Sequence, residues 1–104
     1  MQRIAFKMKM FSGMTAEYKR RHDEISPELV SLLKDSGISD YYIFLDEETN
    51  ILFGTMNVND QAVLENLPHQ PIMKKWWHHM KDIMETNLDE SPVSIPLKEV
   101  FYLP

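Results

Sequence analysis

Residues 38–58 read ISDYYIFLDEETNILFGTMNV, and their pattern decides the fold. Ile38 to Leu45 is strand-like, with Tyr41, Ile43 and Leu45 opposite Tyr42 and Phe44, because successive side chains of a strand point to opposite faces. Asp46 to Asn50 is a polar turn, and Ile51 to Val58 resumes as a strand, close enough for the pair to form a β-hairpin. Gly54 inside the second run signals a bulge or a close approach by another group. Tyr41 and Phe44 point in opposite directions, so a sheet built on this hairpin has apolar surface on both sides.

Upstream, Arg3 to Phe11 alternates in the same way. Ile4, Phe6, Met8 and Met10 share one face, and Lys7 and Lys9, with Ala5, share the other. Ser12-Gly13-Met14 is a turn, after which Thr15 can cap a helix with Glu17 in its favourable first turn. Thr15 to Ser36 reads as helix with one break. Tyr18, His22, Ile25 and Leu29 form a stripe at spacings of three and four. Pro27 interrupts it, and Ser26 as cap with Pro27 at the first position starts a fresh helix. Gly37 is its stop.

Downstream, Asn59 or Asp60 starts a short helix ending near Pro68, and Pro71 opens a longer one through Met84. On that helix Ile72, Trp76 and Met80 line up, with Met73, Trp77 and Met84 beside them. Asn87 to Pro96 reads as irregular and Leu97 to Leu103 as a final strand. The order strand, helix, strand, strand, helix, strand is that of an α+β, ferredoxin-like βαββαβ sandwich, a four-stranded sheet with helices on one side. The helices are too few to cover both faces. A second copy packed sheet to sheet would cover the other, which predicts a homodimer in the form of a dimeric α/β barrel.

The length, 104 residues, predicts a single domain spanning 1–104. With 16 acidic and 11 basic residues the formal charge is -5, which disfavours a broad phosphate-binding face and hence a nucleic-acid partner. The chain has no cysteine, which excludes disulfides, thiolate nucleophiles and Cys-based metal centres. Met1 to Met14 is charged and alternating, unlike a signal peptide. No apolar run approaches membrane-spanning length and no helix is basic and amphipathic enough for a membrane surface, so no membrane partner is expected and the cytoplasm is the expected location.

Four groups of residues can carry chemistry. Tyr18 and His22 lie over each other on one helical face with Arg21 adjacent. Histidine exchanges protons near neutrality, yet spacing alone equally describes an ordinary helix rim, and Arg21 can polarise a hydroxyl or pair with Glu17. Trp76-Trp77 offers flat apolar faces and N–H donors, which suit a sugar as well as a core. His78-His79 with Asp82 lacks the H-E-x-x-H spacing, and adjacent histidines diverge on a helix, so no metal is expected. Of Tyr41-Tyr42, one ring faces each side of the sheet, and one can meet a ligand. The eight methionines read as core filler, with a Met-lined heme or flavin pocket as the rival.

Three separated segments carry a specific resemblance. Tyr18-Lys19-Arg20-Arg21-His22-Asp23-Glu24-Ile25-Ser26-Pro27-Glu28-Leu29 resembles the signature of the L-rhamnose mutarotase family. Trp76-Trp77 followed by Met80 and Met84 is similar to that family's second helix, and Ser91-Pro92-Val93-Ser94, Leu97 and Glu99-Val100-Phe101-Tyr102-Leu103-Pro104 to its C-terminus. The resemblance implies a ferredoxin-like subunit in a sheet-to-sheet dimer that interconverts the α and β anomers of L-rhamnose without cofactor or metal. It implies His22 as catalytic proton donor and Tyr18, Tyr41, Trp76 and Trp77 as sugar-binding residues. Family members often carry a bulky aromatic where this chain has Ser26, which implies a local packing change without loss of activity.

Anomer exchange needs a base for the anomeric hydroxyl, an acid for the ring oxygen, and rotation about C1–C2 in the open aldehyde. It needs no electron sink. Three other classes compete on pattern alone: a cofactor-free monooxygenase of the same barrel type, a heme-degrading barrel protein, and a noncatalytic dimeric binding module.

Overall fold

A computed structural model describes residues 1–104. Four strands, β1 (Gln2–Lys9), β2 (Ile38–Asp46), β3 (Ile51–Val58) and β4 (Ile95–Pro96), form one sheet in the order β2-β3-β1-β4, every neighbour antiparallel. The helices are α1 (Thr15–Asp23), α2 (Pro27–Asp35), α3 (Ala62–Asn66) and α4 (Pro71–Met80), with a 3-10 turn at Leu67–His69. This is the α+β ferredoxin-like arrangement that the order of periodicities predicts.

The core is built on one sheet face. Met8, Met10 and Leu52 pack with Tyr18, Met80, Ile83 and Met84, while Ile38, Met56 and Val58 pack with Leu67. Phe6 touches both groups. The opposite face carries Tyr42 and Phe44, 55% and 60% exposed and stacked on each other at 6.0 Å.

The break between α1 and α2 follows the chemistry of the sequence. Ser26 Oγ accepts a hydrogen bond from the Leu29 N–H at 3.2 Å, and Pro27 occupies the first helical position, where its missing N–H costs nothing. Gly37 leaves the helix at φ 84°, a left-handed conformation that favours glycine. Thr15 does not cap α1: Met14 holds that position, without a side-chain bond.

Two elements differ from the periodicity reading. The long helix ends at Met80, because the segment after it pairs with the end of β1: the Phe11 N–H donates to the Ile83 carbonyl and the Glu85 N–H to the Lys9 carbonyl, both at 2.9 Å. Met84 therefore reaches the core through a bridge to Met10. The expected strand over Leu97 to Leu103 is replaced by the shorter β4 upstream, which lies in the stretch read as irregular. One further ladder bond, from the Leu97 N–H to the Ala5 carbonyl, follows it. Beyond that, Val100, Phe101, Tyr102 and Leu103 are exposed and no helix or strand forms. Pro96 has no N–H to give the ladder, and the apolar tail meets no strand to pair with.

The bulge falls on β2, not at Gly54. Ser39 pairs with Asn57 and Tyr42 with Thr55, so Asp40 and Tyr41 together oppose the single residue Met56. Asp40 takes φ 47° there, and its carboxylate accepts a hydrogen bond from Asn57 Nδ2 at 3.1 Å. The extra residue lets Ile38 and Ile43 both face the core despite their opposite parity, and it places Tyr41 on that same side.

Candidate functional site

Tyr18 and His22 stand one helical turn apart on α1, their rings stacked at 4.3 Å with an interplanar angle of 27°. The Nδ1 of His22 lies 2.9 Å from the Tyr18 carbonyl oxygen. A carbonyl only accepts, so Nδ1 carries the proton and Nε2 of the neutral ring presents a lone pair. From α4, Trp76 meets the imidazole edge to face, centroids 5.1 Å apart at 90°. Three rings from two helices thus hold one another in place.

These rings wall a cavity of about 750 Å³, within the roughly 300–1,000 Å³ usual for small-molecule sites. Tyr18, His22, Tyr41, Trp76 and Trp77 all line it. The lining is mostly apolar, with methionines of the core beneath it, so Met8, Met10, Met80 and Met84 serve packing and cavity floor together.

Burial sets the protonation states. It holds the His22 imidazolium below its ordinary value, against the smaller opposing effects of the Tyr18 carbonyl and Asp23. It pushes the Tyr18 phenol up, and the nearby Tyr41 phenol adds to the effect. Tyr41 is pushed up to about 12 by desolvation of its hydroxyl end, although the residue as a whole keeps 39% of its surface exposed. Near neutral pH the site therefore offers an uncharged imidazole base, two uncharged phenol donors and two indoles. That set can move a proton and grip hydroxyls.

Arg21, which sequence places beside this cluster, does not line the cavity. Its side chain, 11% exposed, is committed elsewhere. Nε donates to Glu17 Oε2 at 2.6 Å, Nη1 to the His79 carbonyl at 2.6 Å and to Asp82 Oδ1 at 2.7 Å, and Nη2 to Asp82 Oδ2 at 3.2 Å. The guanidinium ties α1 to the C-terminal end of α4, where a cation also meets the favourable end of the helix dipole.

His78 and His79 diverge as adjacent helical residues must. His78 Nδ1 meets Glu90 Oε2 at 2.8 Å, while His79 lies 5.9 Å from the Trp76 ring. No three His, Asp or Glu side chains converge in a way that could hold a metal ion. Tyr42 lies on the far face of the sheet from Tyr41.

Three contributors escape a reading by spacing. Asp40 and Ser39 enter the cavity wall through the bulge. Phe6 stands behind Tyr41, rings 6.1 Å apart at 75°, without lining the cavity itself. The parity mismatch between Ile38 and the Tyr41, Ile43, Leu45 set is the one signal in the sequence that points to the bulge.

A family model described as L-rhamnose mutarotase matches residues 3–103. An L-rhamnose mutarotase of Brucella anthropi is 58% identical over 103 residues, 99% of this chain and 97% of that one. One of Mesorhizobium japonicum is 57% identical over 102 residues, 98% of this chain and 97% of that one. The crystal structure of an L-rhamnose mutarotase from Formosa agariphila superposes with a TM-score of 0.94 at 53% identity, covering 100% of both chains.

Proposed function

Since the chain belongs to the L-rhamnose mutarotase family, we propose that it is an isomerase that interconverts the α and β anomers of L-rhamnopyranose by general acid–base ring opening and reclosure. The observation that carries this reading is the stack of Tyr18 on His22 with Trp76 across the imidazole edge, all opening on one cavity.

In the proposed course, His22 Nε2 takes the proton from the anomeric hydroxyl O1. The C1–O1 bond gains its second bond as C1–O5 breaks, and the electron pair of that bond goes to O5. The imidazolium returns the proton to O5, giving the open-chain aldehyde. Rotation about C1–C2 presents the other carbonyl face. Reclosure runs the same transfers backwards: His22 takes the O5 proton, O5 attacks C1, and the carbonyl oxygen is protonated. Atoms and charge balance within the sugar and one imidazole, so nothing else is consumed.

His22 is the catalytic residue in this scheme, acting as base first and proton donor second. Tyr18 and Tyr41, held neutral, donate hydrogen bonds to sugar hydroxyls. Trp76 and Trp77 lie against the C–H surfaces and the 6-methyl group. Arg21 supports the site by holding α1 on α4 rather than by touching sugar. Ser26, acting as cap, serves α2 and leaves the reaction untouched.

The working form is proposed to be a cytoplasmic homodimer of one-domain subunits, spanning residues 1–104, joined sheet to sheet. Tyr42 and Phe44 on the bare face, together with the exposed apolar tail, supply the surface that such packing would cover. No helix is long and apolar enough to cross a membrane.

The test is anomer exchange of L-rhamnose measured by saturation-transfer NMR. Wild type outpaces buffer, and His22→Ala loses about 10²–10⁴-fold. Full activity in the variant would end this assignment. Oxygen uptake or a heme absorption band on mixing would instead favour the monooxygenase or heme-degrading readings.

A further inference from the structure

Phe6 on β1 lies directly opposite Gly54 on β3. A Cβ placed on Gly54 would stand 2.5 Å from Phe6 Cζ and 2.6 Å from Cε2, far inside any tolerable contact. The Phe6 ring therefore occupies the space that a side chain at position 54 would fill. The requirement is steric, because Gly54 has no left-handed φ of the kind seen at Gly13 and Gly37.

The Phe6 ring also meets Tyr41, centroids 6.1 Å apart at 75°. It packs against both halves of the core, so a methyl group at position 54 that displaces the ring disturbs its contact with Tyr41. Tyr41 needs such a support, since it belongs to the bulge and has no partner in the β2–β3 ladder. The chain of contacts is thus Gly54, Phe6, Tyr41, and only the last lines the cavity.

We infer that Gly54 is a positioning residue for the sugar site: its missing side chain leaves room for the Phe6 ring, which in turn holds Tyr41 in the cavity wall. This inference rests on the mutarotase reading given above. Gly54→Ala lifts Phe6 and shifts Tyr41, which weakens the grip on substrate more than it slows proton transfer at His22. The expected result is a KM for L-rhamnose raised about tenfold with kcat within about threefold of wild type.

Adding Phe6→Leu removes the ring that the new methyl group would push. The double variant should return KM to within about threefold of Phe6→Leu alone. Tyr41 ring-proton NMR shifts should move in Gly54→Ala and move back in the double variant. A Gly54→Ala protein with a lowered melting temperature but unchanged KM and unchanged Tyr41 resonances would overturn the inference, as would a double variant without recovery. Should Gly54→Ala not fold alone, refolding and recovered KM in the double variant support the inference, and their absence overturns it. If wild type itself fails to speed anomer exchange, the mutarotase reading falls, while the Tyr41 shifts still decide whether Gly54 positions that ring.

Discussion

Tyr41 and Tyr42 are neighbours on one strand with opposite fates. Tyr41 turns toward the helices, its hydroxyl enclosed beside a cavity that also holds Tyr18, His22 and Trp76. Tyr42 turns to the bare face and stacks on Phe44 in the open. The same residue type thus meets two environments, because side chains alternate along a strand and the bulge at Asp40 and Tyr41 sets Tyr41 on the core face. On the covered face, burial keeps the imidazole uncharged as a base and the phenols uncharged as hydrogen-bond donors. On the bare face, the rings have apolar area and no enclosure, which suits association rather than chemistry.

The comparison breaks most sharply at His22. His22→Ala should cost about 10²–10⁴-fold in exchange rate while leaving the oligomeric state alone, as read by NMR and sedimentation. Phe44→Asp tests the other face. It should convert the proposed dimer to monomer by sedimentation, with the Tyr18 and His22 ring resonances unchanged. A dimer that persists would remove the bare face from the interface.

Arg21→Ala should lower stability by about 1–3 kcal/mol in urea unfolding, because it strips Asp82, Glu17 and the His79 carbonyl of their shared partner. The loss should be accompanied by a weaker exchange rate, since the guanidinium holds the histidine helix against the tryptophan helix. Ser26→Ala should cost about 1 kcal/mol through the lost cap with little change in rate. Lys19→Ala, in an exposed i,i+4 pair with Asp23, should change stability by under about 0.5 kcal/mol.

Acid separates the two environments as well. Burial holds the His22 pKa below 6.5 in the folded protein. The base form therefore persists below that pH, and kcat/KM should fall only as pH drops through the lowered value. The unfolded chain takes up the proton first, so this group also withdraws stability as pH falls below 6.5. Glu17 has its carboxyl held at about 2 by Arg20 and Arg21, against an ordinary 4.5. Its ion pairs support the fold above that ordinary value and fade as pH falls toward 2. Acid titration of stability by circular dichroism should show this second loss vanish in Glu17→Gln.

Much of the fold is legible because it rests on local periodicity and capping. The alternation of Ile4, Phe6, Met8 and Met10, the hairpin about Asp46 to Asn50, and the Ser26-Pro27 start are consequences of neighbouring residues alone. The errors fall where distant segments compete. Residues 81–84 read as helix, yet the free backbone groups of Lys9 and Phe11 draw the chain at Ile83 and Glu85 into pairing. Residues 97–103 read as strand, yet a strand needs a neighbour, and β1 accepts only Ile95, Pro96 and one bond beyond.

Sequence alone supplied the candidates for the proposed chemistry: an imidazole and a phenol one helical turn apart, paired indoles, and a tyrosine on a strand. Short-range spacing is enough to place the first two together. Only the tertiary structure brought Trp76 to His22, committed Arg21 to Asp82, and turned Tyr41 inward through a bulge. Those relations join residues far apart in the chain, and they arise from satisfying backbone groups and filling space, which no local pattern encodes.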